Sequence, residues 1–359
     1  MGHYEVDSKI LGSAISKCLG IIALGDKAES NSITLIFSKK GLSVEAHNSV
    51  AQYRTDIPVD IIKPAKMRVS ILPELLLSYS GSYKKLVLNP KEEHLTVKGG
   101  KTFSADMYFV GNNDEMKVDK PEDTTDISGI ALVASRVLNM VSGIKNRTDS
   151  QVLGVKLLWN KNILELTIGD THHAVIVDST TKHKGNGEMV MTLPNLQKIM
   201  TVGKNFASEE NRMYAWSDVE YLSIMGQSEN VFLANAAREV LKGKKVSKVI
   251  VDTEKFQTMV NTLVSAVEES SPIQFKISNK AITANVRTGA SNARGAVKVN
   301  EVKGKSDIEV AVSIHHLKDC LSTMKEKVTT IVLYKNMLAL ESSGKDTKVV
   351  AAMSCVGVK

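Results

Sequence analysis

Apolar residues along the chain fall into two rhythms. A four-residue spacing predicts helices, an alternation predicts strands, and the same succession of both returns three times. Leu72-Pro73-Glu74-Leu75 and Leu193-Pro194-Asn195-Leu196 are one phrase repeated about 120 residues apart. A second step of equal length reaches Ile314-His315-His316-Leu317, which keeps the apolar positions and loses the proline. Each phrase follows a strand-like run: Met67-Arg68-Val69, Met189-Val190-Met191 and Val310-Ala311-Val312. Each also opens an amphipathic helix, in which Leu75 and Tyr79, Leu196 and Met200, or Leu317 and Leu321 share a face. Proline suits a first helical turn because that N–H has no intrahelical partner.

A second correspondence lies upstream in each third. Lys9, Arg136 and Lys255 each stand directly before an apolar helical stretch, expected from Ile10 to Leu19, Val137 to Ile144 and Phe256 to Val264. Asp7 and Ser8, Ser135, and Asp252 and Thr253 supply the side chains expected at the helix N-termini. After each Leu-Pro-type helix come two alternating strands around a polar turn. They are Leu86–Leu88 with Leu95–Val97, Met213–Ala215 with Tyr221–Ile224, and Ile331–Leu333 with Leu338–Leu340. Polar stretches from Gly111 to Ser128 and from Ala234 to Lys248 fit the joints. The expectation is an α+β chain of three repeated domains, 1–125, 126–243 and 244–359, each with two helices packed on antiparallel sheets.

Composition narrows this picture. At about 150 residues per domain, 359 residues suit two or three domains. With 43% hydrophobic and 24% charged residues the chain is neither disordered nor collagen-like. No apolar run approaches the roughly 18 residues of a membrane span, so no membrane partner is expected. The opening Met1-Gly2-His3-Tyr4-Glu5 does not read as a secretory signal. Cys18, Cys320 and Cys355 are far apart and form no Cys-x-x-Cys pair, which predicts free thiols in a reducing, cytoplasmic setting. A net charge of +7 is compatible with a polyanionic partner, while 5% aromatics argues against base-stacking platforms.

Catalytic chemistry finds little support. Gly185-Asn186-Gly187 does not complete a dinucleotide-binding glycine motif, and no phosphate-binding Gly-x-x-x-x-Gly-Lys-Ser/Thr is present. No cofactor is therefore expected. Asp170-Thr171-His172-His173 comes nearest to a metal or acid–base cluster, but neighbours on a regular strand point to opposite faces, so an interface role is expected there. His315 and His316 diverge in the first turn of a helix. Cys18 and Cys320 read as core thiols.

The basic residues carry more meaning because the repeat fixes their places. The first helices of the thirds carry Lys9, Lys17, Arg136, Lys145, Arg147 and Lys255; the second helices carry Lys198, Lys204, Lys318 and Lys325. Singly, each reads as part of a solvated helix face. Aligned in an arc, the six helices would make one positive lining, binding phosphates through counterion release without reading sequence.

This layout resembles the bacterial-type DNA polymerase sliding clamp, the beta subunit of the replicative polymerase, across nearly the whole chain. Met67-Arg68-Val69-Ser70, Leu95-Thr96-Val97 and Phe103-Ser104-Ala105 are similar to clamp phrasing in the first third. Ile168-Gly169-Asp170-Thr171-His172-His173-Ala174 resembles the family segment Ala-Thr-Asp-Gly-His-Arg-Leu, matching at Asp170 and His172. Of the family tail Met-Pro-Met-Arg-Leu, Met353-Ser354-Cys355-Val356-Gly357 keeps the first methionine, which suggests a diverged member such as a phage encodes.

The resemblance implies half of a pseudo-sixfold ring, closed by a second copy, with helices inside and duplex DNA through the hole. It implies a dimer interface of Phe103 and Ala105 against Ala266 and Val267 of the other copy. It also implies a partner pocket of Val152, Gly169, Asp170, Thr171, His172, His173, Ala174, Ser313, His316 and Met353. Its partners would be duplex DNA, a replicative polymerase and a clamp-loader ATPase, and the chain itself would not be an enzyme. Two other readings stay open at this point: an open-arc, sequence-blind DNA-binding protein, and a metal-dependent enzyme using Asp170 and His172.

Overall fold

The structure, a computed structural model, describes residues 2–24, 31–110, 125–138, 154–169, 172–180, 185–227, 238–239, 241–266, 272–287 and 292–358. Six helices lie among them: α1 (Ser8–Ile22), α2 (Pro73–Ser80), α3 (Ile130–Val137), α4 (Leu193–Val202), α5 (Thr253–Val264) and α6 (Ile314–Ser322). A strand precedes each helix, and the same order of strand, helix, strands, helix and three strands recurs through the chain.

Local chemistry explains the helix starts. Asp7 caps α1 by accepting from the N–H groups of Lys9 (2.9 Å) and Ile10 (3.2 Å), and Asp252 caps α5 through Lys255 (3.0 Å). Ser313 caps α6 through the N–H of His316 at 3.4 Å, and Pro73 occupies the first turn of α2. The first helix of the second third departs from expectation. It spans Ile130–Val137, with Arg136 in its last turn instead of ahead of its first. Ile130, Val133, Ala134 and Val137 form its buried stripe, so the helical spacing begins upstream of Arg136. Ser135 is no cap; its hydroxyl donates to the Leu132 carbonyl at 2.8 Å. Beyond Leu138 the expected stretch lies outside the described residues.

The chain forms two compact units, one of residues 1–126 with 198–226 and the other of 127–197 with 227–359. In the first unit a five-stranded sheet ends on the strand Phe103–Tyr108. An eight-stranded sheet in the same unit pairs Ala51–Ile57 with Glu220–Met225, bringing strands of the first and second thirds together. α1 packs on Leu42–His47 and Ala51–Ile57 and beside α2. Leu11, Ile15, Cys18 and Ile21 are buried there with Tyr53 and Leu76.

The second unit holds a twelve-stranded sheet system. In it His173–Ser179 pairs with Thr347–Val358, joining strands of the second and last thirds. Two long strands, Asn292–Gly304 and Thr347–Val358, each change partners partway along. α5 packs on Asn292–Gly304 and beside α6, which reaches Thr347–Val358 and His173–Ser179. The divisions between units therefore follow the sheets, which bridge consecutive thirds.

Candidate nucleic-acid interface

Each helix buries one apolar stripe, and what remains outside is mostly polar, with Ile10, Leu75 and Leu132 the large apolar exceptions. On α1 the exposed residues are Lys9, Ile10, Ser13 and Ser16. On α5 they are Glu254, Lys255, Thr258, Asn261 and Thr262, and on α6 Lys318 is exposed. Lys204, just after α4, and Lys325, just after α6, are exposed too. Small hydroxyl side chains between lysines leave the ammonium groups open to a phosphate backbone.

Two of the expected basic residues are bonded to acids, and a third is half-buried. Lys17 is half-buried and bonded to Glu220, whose carboxylate also accepts from the Tyr53 hydroxyl at 2.9 Å. Arg136 is largely buried; its guanidinium meets Glu326 at 2.6 Å and donates to the Thr347 hydroxyl at 2.9 Å. Both cations are spent on neighbouring strands, Glu220 opening one bridging strand and Thr347 the other. Lys198 is half-buried, its ammonium lying over Gly20 of α1, where any side chain would collide with it. Lys325 keeps its exposure while donating to the Ser135 carbonyl at 3.0 Å. Lys145 and Arg147 lie outside the described residues.

Around Glu326, burial works to raise the carboxyl, but bonds from Ser342 (2.5 Å) and Arg136 outweigh it and hold the group below the usual glutamate range. No local pattern points to these partners, because each lies about 190 residues or more from Arg136 along the chain.

The expected partner pocket comes together only in part. His172, exposed and just ahead of its strand, and His173, 3% exposed, both stack on the His316 ring, at 5.7 Å and 4.6 Å with interplanar angles of 16° and 18°. His172 escapes the alternation rule because the strand begins at His173. Its carbonyl accepts from the Ser354 N–H at 2.9 Å and from the Ser354 hydroxyl at 3.1 Å.

Met353 is 1% exposed, paired with both His173 and Leu338, so it is a core residue beneath the histidines. Ala174 and Gly169 are buried beside it, and Ser313 is the α6 cap. A Cβ on Gly169 would stand 2.6 Å from the His173 carbonyl, so the hairpin admits only glycine there without a shift. Val152, Asp170 and Thr171 lie outside the described residues. Nearly parallel rings present faces to one another and do not converge their nitrogens on a point. Among the described residues no group of three or more His, Cys, Asp or Glu could hold a metal ion.

Of the expected interface residues, Phe103 packs on Tyr79 at 4.8 Å and Tyr83 at 5.1 Å, on a sheet edge. Ala105 follows on the same face of that strand, Ala266 sits just past the end of α5, and Val267 lies outside the described residues. Cys18 and Cys320 are buried and in no disulfide, and burial pushes the partly exposed Cys355 thiol up to about 12. Among the described residues no helix is long and apolar enough to cross a membrane.

Comparison with known proteins finds no matching family model and no matching curated protein. Solved structures do match. The DNA polymerase sliding clamp of Bacillus subtilis superposes with a TM-score of 0.80 at 10% identity, covering 99% of each chain. The DNA polymerase III beta subunit of Pseudomonas aeruginosa gives 0.80 at 12% identity and 99% of each chain. The beta subunit of Thermotoga maritima gives 0.76 at 10% identity, over 99% of this chain and 100% of that one. From end to end, this chain has the sliding-clamp fold.

Proposed function

We propose that this chain is a DNA sliding clamp, a non-enzymatic processivity factor that encircles duplex DNA in the cytoplasm and tethers a replicative polymerase to it. The observation that carries the reading is the fold likeness over 99% of the chain. In this reading 1–125, 126–243 and 244–359 are three domains, two copies close a six-domain ring, and a loader ATPase opens it. The helices line the hole. Lys9, Lys198, Lys204, Lys255, Lys318 and Lys325 make the sequence-blind phosphate contacts, while Lys17 and Arg136 hold domains together. The polymerase gains by effective concentration at the primer end, the ring converting re-binding into an intramolecular event. Its docking segment meets the chain at exposed His172 and half-buried His316, with buried Met353 supporting them from below.

Sedimentation and particle-averaged imaging of the purified protein test this reading. A two-copy toroid with a central hole is the expected result; an open monomeric crescent at all concentrations would contradict it.

A further inference from the structure

Lysines gather at the end of the sheets opposite the helix starts. The strands that feed α1 and α2, His3–Asp7 and Met67–Ile71, both begin at this end and finish on a helix. At about 3.3 Å per residue, a five-residue strand sets its two ends roughly 15 Å apart. The Ser38–Gly41 and Lys91–His94 turns lie at the same end, since Phe37 pairs with Met67 and Leu88 with Tyr4. Buried Tyr4 ties these segments together: its hydroxyl accepts from the Ala65 N–H at 2.7 Å and donates to the Ser38 carbonyl at 3.0 Å. A Cβ on Gly2 would stand 2.7 Å from that of Ala65 and 3.2 Å from Pro90.

Five lysines surround this junction: Lys39, Lys40, Lys63 and Lys66, all exposed, and half-buried Lys91. Lys63, Lys66 and Lys91 line a groove of about 680 Å³ together with His94, Glu92 and Glu93. Among the described residues none of the five lysines forms an ion pair. Lys85, at the helix end of the same sheet, meets both Glu5 and Asp60. Clustered like charges repel one another, and a polyanion relieves that repulsion.

The last third repeats the arrangement. Its feeder strands, Ser247–Asp252 and Ile308–Ser313, also begin together, where Ser247 pairs with Gly304 and with Leu333, and Ile308 with Ile277. That end carries Lys244, Lys245, Lys280, Lys303, Lys305 and Lys335, all exposed; Lys245 meets Glu341 and Lys303 meets Glu301. The matching turns of the middle third carry Lys161 but also Glu209 and Glu210, so hairpin turns in this chain are not lysine-rich as such.

We infer that the strand-start ends of the first and last thirds form a second duplex-binding surface, separate from the helices, that holds the sugar–phosphate backbone. This surface goes beyond the clamp reading, which places DNA against the helices. The cations are lysines, which protein interfaces disfavour relative to arginine. Ammonium groups on turns act as point charges for phosphates and read no bases. A single exposed ring, Tyr108 against His94, is too little for a row of stacked bases, so the ligand is duplex.

The test is equilibrium binding of the full chain, without any loader, to a covalently closed duplex circle across about 50–200 mM salt. A circle without ends cannot thread a closed ring, so the helix lining takes no part. Lys39→Gln with Lys40→Gln, Lys63→Gln and Lys66→Gln should weaken binding at least about tenfold and lower the salt slope by roughly one per lost contact. Lys244→Gln with Lys280→Gln, Lys305→Gln and Lys335→Gln should act likewise. All eight positions are exposed, so the unfolding midpoint should not move. Lys9→Glu with Lys255→Glu and Lys318→Glu should change binding to the circle much less. Unchanged binding in both quartets overturns the inference, as does a loss confined to the helix variant. Polyglutamate that competes as well as duplex of equal charge would point to an acidic protein and overturn the phosphate assignment. Losses in both quartets and in the helix variant would keep this surface and contradict the closed ring.

Discussion

The first bridge, Ala51–Ile57 with Glu220–Met225, and the second, His173–Ser179 with Thr347–Val358, share a backbone register and almost nothing else. At the first, half-exposed Lys17 reaches Glu220 and Tyr53 joins them. At the second, Arg136 and Glu326 are both largely buried, Ser342 and Thr347 complete the network, and three histidine rings stack at the far end. The ladder hydrogen bonds set the geometry of each bridge, and side chains need only satisfy whatever the ladder brings together. This is why 10–12% identity coexists with a TM-score of 0.76–0.80.

If the bridges differ as described, their polar locks should differ in strength. Arg136→Ala leaves the Glu326 carboxylate with the Ser342 bond but no cation and should cost about 1.5–3 kcal/mol, read as lost hydrogen-exchange protection in Thr347–Met353. Protection there unchanged by Arg136→Ala would show the network to be incidental. The same lock responds to pH. Glu326 titrates below its ordinary value in the fold, so its contribution is present above the usual glutamate range and is lost as pH falls through the depressed value. Exchange protection of that strand should fall with acidification in the parent and much less in Glu326→Gln.

His316→Ala removes the ring between His172 and His173 and should cost about 1 kcal/mol in thermal stability. In the proposed clamp it should also weaken polymerase binding without releasing DNA. Met353→Glu is no substitute, because a charge at a 1% exposed position would disrupt the unit itself.

At the first bridge, Lys17→Ala should cost about 1 kcal/mol or less, since the pair is partly solvated. Smallest in stability is Lys9→Glu with Lys255→Glu and Lys318→Glu, all exposed. These should leave the unfolding midpoint unmoved while reducing the salt slope of DNA binding by roughly one per lost phosphate contact. A drop in stability equal to that of Arg136→Ala would erase the distinction between lining and locking cations.

Local order was legible in the sequence and long-range order was not. The Leu-Pro phrases, the Asp7 and Asp252 caps and the hairpin alternations are short-range signals, and they gave five of the six helices described and the strands that flank them. α3 was misplaced because Arg136 was aligned by charge with Lys9 and Lys255, against the apolar spacing of Ile130, Val133 and Val137. The bridging strands pair residues more than 160 positions apart, which no periodicity encodes. For that reason Lys17 and Arg136 read as lining residues: their acids are distant in sequence. The histidine stack was half visible, as two His-His pairs whose meeting depended on the second bridge.

Topological retention on DNA separates encirclement from binding on an open basic surface. The protein is loaded on closed circular duplex by its cognate loader and then washed at a salt concentration that strips phosphate contacts, where an open basic surface making about six of them would lose roughly 10³ or more in affinity. An encircling protein stays on the intact circle and runs off after a single cut linearises it. Loss from the uncut circle at the same salt would contradict encirclement.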